Sequence, residues 1–127
     1  MRNVSQGFQV AGGVGCGERH SGRVTILDLE GNLTFGEGTA TLRRETRRLI
    51  AGGCPDILLN FARVRYVDSS GLGEMVAAQT TARREGGRVA LLSLSQNVRE
   101  VFEVTKMGQV FDIYDDESGA LRDMNCF

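Results

Sequence analysis

The sequence predicts an α/β domain built on one mainly parallel or mixed sheet, and three observations carry that expectation. Runs with strand-like and helix-like apolar spacing alternate four times along the chain. Two of the strand-like runs, Ile57-Leu58-Leu59 and Val89 to Leu94, are continuous apolar stretches of the kind buried on both faces of a sheet. The length of 127 residues suits a single domain large enough to bury a core. About four to five strands and about four helices are expected.

Residues 1–22 are rich in glycine and small polar residues and read as a flexible leader, with a short strand around Phe8 to Val10. Gly13-Val-Gly15-Cys-Gly17 lacks the third glycine and the following helix of a phosphate loop. The folded domain is placed at 23–127. Its first strand runs from Val24 through Leu29 and stops at the turn signal Gly31-Asn32. A helix follows from about Thr39 to Ala51, with Leu42, Thr46, Leu49 and Ile50 on its apolar face. Arg43, Arg44, Arg47 and Arg48 with Glu45 form its solvated face. Gly52-Gly53 ends it before Pro55.

After the strand at 57–59 and the apolar positions Val64, Tyr66 and Val67, the chain turns sharply at Asp68-Ser69-Ser70-Gly71. A helix to about Glu85 then buries Leu72, Met75, Val76, Gln79 and Thr80. Its N-cap falls to Ser69 or Ser70. Gly86-Gly87 closes it, and the strand Val89 to Leu94 leads to Ser95 as the cap of a helix bearing Val98, Val101 and Phe102. Val110 to Tyr114 alternates like a more exposed strand. Asp115, Asp116 and Glu117 suit the first turn of a last helix through Ala120, Leu121 and Met124.

Composition narrows the function. A formal charge of −1 disfavours generic binding to nucleic acid or anionic membranes. No run reaches the eighteen or so apolar residues of a membrane span. Three unpaired-looking cysteines, Cys16, Cys54 and Cys126, suit free thiols in a reducing cytoplasm.

The chemistry concentrates at Asp68-Ser69-Ser70-Gly71, where two hydroxyls meet the unpaired N–H groups and positive dipole end of a helix. A serine hydrolase would need a histidine base, and the single histidine, His20, precedes the serine and lies in the leader. An aspartyl-phosphate receiver would need an aspartate where the strand 57–59 ends, and Asn60 stands there. Asp115-Asp116-Glu117 lacks the spacing of a calcium loop. No cofactor or metal is expected, and the chain is read as a non-enzyme. Phosphorylation of a serine by a partner protein is the chemistry that is left.

Tyr66-Val67 followed by Asp68-Ser-Ser-Gly-Leu-Gly73 resembles the signature of the STAS-domain anti-sigma-factor antagonists. The likeness extends from about Arg23 to Tyr114. It includes Leu29-Glu-Gly31, Ile57-Leu-Leu-Asn60, Gly86-Gly87, Val98-Arg-Glu-Val-Phe102 and Thr105-Lys-Met-Gly108. The resemblance implies a STAS-like domain in which Ser69, directly after the aspartate, is the phosphorylated serine. It further implies that an anti-sigma factor acting as a serine kinase binds the unphosphorylated form, and that a serine phosphatase resets the switch. The implied partner surface is Asn32, Thr34, Asp68, Ser70, Gly71 and Leu72, with the apolar contact centred on Leu72. The family commonly carries Gly-Glu-Leu-Asp after the first strand; Gly31-Asn32-Leu33-Thr34 here replaces both acids. That replacement supports a second reading, a non-switching STAS module in a signalling assembly or binding a nucleotide or lipid. Either protein would be cytoplasmic, without direct nucleic-acid contact.

Overall fold

The structure is a computed structural model that describes residues 14–126. Its five strands are β1 (Val14–Ser21), β2 (Val24–Leu33), β3 (Asp56–Val67), β4 (Arg88–Leu92) and β5 (Asp112–Tyr114). They lie side by side in chain order, with β1 antiparallel to β2 and every later neighbour parallel. The helices are α1 (Glu37–Ala51), α2 (Ser69–Arg84), α3 (Gln96–Thr105) and α4 (Glu117–Met124). The mixed five-stranded sheet with four helices is the expected class.

Strand order explains the layering. Crossovers between neighbouring parallel strands are right-handed as a rule, because a right-twisted strand feeding a right-handed helix packs back best that way. Three crossovers advancing in one direction put α1, α2 and α3 on one face. There Leu27, Leu29, Leu59, Phe61 and Leu91 meet Leu42, Met75, Val98 and Phe102 in the main core. The opposite face carries α4, which seats Ala120 and Met124 on Val24, Ile26, Leu58 and Leu92. Gln79 is buried on α2 and fully used. Its Nε2 donates to the carbonyls of Val89 (3.0 Å) and Val110 (2.9 Å), and its Oε1 accepts from Val89 N–H at 2.7 Å.

Several boundaries differ from the sequence reading; among them, β4 ends at Leu92 and not at Leu94, and β5 starts at Asp112 and not at Val110. The leader ends earlier, because 14–21 form a full edge strand paired with β2 from Val14↔Gly31 to Ser21↔Val24. Gly15 and Gly17 are buried without side chains to announce it, so backbone pairing and not apolar alternation makes this strand. Arg19 anchors it, forking to both oxygens of Asp28 (2.6 and 2.7 Å) and to both of Glu117 (2.9 and 2.8 Å) across to α4. The strand expected around 8–10 lies outside the described residues.

Gly31-Asn32 is not a turn; β2 runs through it to Leu33, with Gly31 at φ 122°. β3 likewise continues from the apolar run at 57–59 to Val67. In α2 the buried side is Leu72, Met75, Ala78, Gln79 and Ala82, while Val76 is half-buried and Thr80 exposed. The arginine face of α1 is solvated as read. Arg43 reaches Glu74 on α2 (2.6 Å) and Arg48 reaches Glu45 (2.7 Å) and Glu18.

Candidate functional site

β3 hands over to α2 through one residue. Asp68 is extended, at φ −102° and ψ −175°, and is the N-cap of α2. Its Oδ1 accepts the Gly71 N–H at 3.0 Å, and its Oδ2 accepts the Phe35 N–H at 3.0 Å. Its backbone N–H donates to Leu33 O (3.2 Å), and its own carbonyl accepts from Leu72 N–H (3.0 Å). One side chain therefore joins the end of β2, the loop after it and the first turn of α2. Gly71 first, then Phe35, hold the carboxyl below its ordinary pKa.

The cap is thus neither serine. Asp68 occupies the last extended position, from which a short carboxylate reaches the third helical N–H, whereas Ser69 and Ser70 are already helical. Ser69 is exposed and Ser70 half-buried, and among the described residues neither hydroxyl makes a hydrogen bond. Ser69 Oγ stands at a helix start with no structural duty.

Close packing fixes this corner. A Cβ on Gly71 would sit 2.3 Å from Leu33 O and 3.1 Å from Val67 Cγ1, and one on Gly38 would sit 2.3 Å from Asn32 O. Both helix starts press on the backbone at the end of β2, which leaves room only for glycine. Gly73, by contrast, faces open space.

The structure brings Asn32, at the end of β2, and Thr34, in the loop after it, beside Asp68 at the start of α2 through the Asp68–Phe35 and Asp68–Leu33 links. Asn32 is exposed and Thr34 half-buried. Gly71 and Leu72 lie beneath the surface. Leu72 is 8% exposed and part of the main core, because helical spacing puts it with Met75 on the sheet side. The apolar contact expected at Leu72 has no surface there. Phe35 supplies one: it is 85% exposed, and its N–H is the one bound by Asp68. Sequence reading passed over Phe35, although an aromatic set between Thr34 and Gly36, outside any periodic run, is the signal for it.

His20 belongs to the other end of the sheet. It pairs with Thr25 near the start of β2, while Ser69 follows the far end of β3 beside Leu33. Eight residues of strand separate Thr25 from Leu33, roughly 26 Å. Its Nε2 lies 2.7 Å from Glu18 Oε2, so the ring is engaged locally.

This corner and sheet define a class. The chain belongs to the STAS domain family, whose model matches residues 18–120. That span takes in part of β1, in keeping with the earlier start of the folded domain. The chain is 25% identical over 107 residues to the anti-sigma F factor antagonist of Paenibacillus polymyxa, covering 84% of this chain and 91% of that one. It is 27% identical over 84 residues to the anti-sigma-B factor antagonist of Bacillus subtilis, covering 66% and 77%. Among solved structures it is similar to an anti-sigma factor antagonist from Mycobacterium paratuberculosis, with TM-score 0.76, 18% identity and coverage of 89% and 95%. It also matches the antagonist SpoIIAA in its unphosphorylated form, with TM-score 0.64, 20% identity and coverage of 97% and 96%. The fold is the STAS fold, and the resemblance to the anti-sigma-factor antagonists stands. No helix among the described residues is long and apolar enough to cross a membrane.

Proposed function

We propose that this chain is a protein-binding switch, an anti-sigma-factor antagonist whose hold on a kinase-type anti-sigma factor is ended by phosphorylation of Ser69. One observation carries the reading: Asp68 does the capping, so the exposed Ser69 hydroxyl can be modified without dismantling the helix start. The chain supplies the acceptor oxygen and the partner supplies the chemistry, which fits a sequence whose one histidine is at the far end. Similarity to curated antagonists supports the partner class. A relative of this fold, SpoIIAA, has been solved in its phosphorylated form.

A phosphoryl group adds roughly −1.5 to −2 charges and three acceptor oxygens. At the first helical position the dipole offsets that charge, so the fold is retained. The effect falls on the surface, where the new dianion stands next to Asp68, whose carboxylate holds the backbone of the exposed Phe35. A partner seated on Phe35 would have to bury both negative groups, which is costly unless each is paired. The switch is therefore an interface event. Amide spectra of the two forms should differ around residues 32–36 and 68–73; shifts spread through β4 would argue for a conformational mechanism instead.

Retention of partners from native cytosol by wild type, Ser69→Ala and Ser69→Glu tests the reading. A kinase-type anti-sigma factor should be held by the first two and released by the third. Equal retention by all three would sink the proposal. It would favour a non-switching STAS module, for which Asn32 and Thr34 in place of the family's two acids are the motivating feature.

A further inference from the structure

The β2–β3 ribbon outruns the rest of the sheet. β4 pairs with β3 only as far as Leu92↔Asn60, and then turns away at Ser93, whose φ is 61°, toward the start of α3. From Phe61 onward, among the described residues, β3 has a strand neighbour on the β2 side alone. In this stretch β3 bulges twice: Asp28↔Asn60 is followed by Glu30↔Arg63, and Gly31↔Val64 by Asn32↔Tyr66. Each bulge inserts one residue on β3 and re-aims its side chains. Phe61, Val64 and Val67 face the main core, and the two residues between each pair are all exposed: Ala62 with Arg63, and Arg65 with Tyr66. A regular strand of this length would put fewer side chains outside.

A groove of about 810 Å³ lies over that doubled face, walled on one side by Ser95 and Asn97 at the start of α3. Its lining sets two arginines, Arg63 and Arg65, against one acid, Glu30, so the net charge is positive. Arg65 makes no ion pair among the described residues, and Arg63, 72% exposed, reaches Glu30 only at 3.6 Å. The positive dipole end of α3 adds to them. Because the whole chain carries −1, this field is local and belongs to the groove. Tyr66, 56% exposed, gives an aromatic surface between the guanidinium groups and the end of β3.

We propose that this groove docks an extended acidic segment of a partner protein, its carboxylates on Arg63 and Arg65 and an apolar side chain over Tyr66. Charge complementarity selects the occupant, and the bulges create the row that reads it. Asn32 lines the groove and also edges the Ser69 corner, so the two surfaces adjoin.

The test uses the full chain and a short fluorescent peptide of alternating Glu and Leu, with a Lys-Leu peptide as control. Anisotropy should report binding of the acidic peptide alone, weakening as salt rises from roughly 50 to about 300 mM. Amide shifts should cluster at Gly31, at 62–66 and at Asn97. Arg63→Gln with Arg65→Gln should weaken binding roughly tenfold, the worth of two exposed ion pairs, with an unchanged circular dichroism spectrum. No binding, equal binding of the Lys-Leu peptide, shifts centred on Arg43–Arg48, or preferential capture of a single-stranded RNA oligonucleotide would each overturn the proposal.

Discussion

Replacing Asp68 with alanine removes two acceptors at once, and the structure sets the size of the effect. The Gly71 bond is a helix N-cap, whose loss costs about 1 kcal/mol and up to about 2. The Phe35 bond is exposed and adds roughly 0.5–1 kcal/mol. The sum, about 1.5–3 kcal/mol, converts to a fall in Tm of roughly 6–11 °C for a chain of this size. Asp68→Asn keeps one carbonyl oxygen, serves one of the two donors, and should lose about half as much. The deficit should also depend on pH. The folded carboxyl lies below its ordinary pKa, so its contribution is complete above the ordinary range and is lost as pH falls through the folded value. Wild type and Asp68→Ala should therefore converge in strong acid. Thermal denaturation at neutral and acid pH measures the energies, and hydrogen exchange at Gly71 and Phe35 locates them. A neutral-pH difference under about 0.5 kcal/mol, or unchanged protection of both amides, would refute Asp68 as the latch.

Three further outcomes follow from the same geometry. Gly71→Ala should destabilise by at least about 1 kcal/mol, because its Cβ meets Leu33 O, while Gly73→Ala in open space should stabilise by roughly 0.4–1 kcal/mol; paired urea titrations decide both. Gln79→Ala should cost about 2–4 kcal/mol, since the cavity leaves Val89 N–H and the Val110 carbonyl without their side-chain partner, again read from urea midpoints. In timed alkylation at mildly alkaline pH, exposed Cys126 should react first and Cys16 last. Burial, with Glu45 and Glu18 adding to it, pushes the Cys16 thiol up to about 12.

Most of the fold was legible because its signals are local. β2, β4 and the helices follow from apolar period and caps, down to Ser95, whose Oγ accepts the Val98 N–H. What escaped sequence reading depends on partners distant in the chain. β1 is a strand by virtue of β2 and of Arg19, whose Glu117 contact lies far along the chain. The end of β3 was obscured because two bulges turn an alternation of two into a spacing of three at Phe61, Val64 and Val67. At the candidate site the motif pointed to Asp68 and Ser69, but which of them caps α2 depends on which residue is last in the extended conformation. Leu72 and Phe35 exchanged places for a related reason. Period assigns Leu72 to a face, but only the packed sheet shows that this face is covered.

Strand order equal to chain order has a consequence for biosynthesis. Every strand after β2 joins the edge of a sheet already present, and none has to be inserted between strands that have paired. The growing chain can thus complete β1, β2, α1 and β3 before β4 leaves the ribosome, each step burying an apolar face against structure already made. The corner that holds Ser69 needs β2, β3 and the first turn of α2. It can form while the last third of the protein is still being translated.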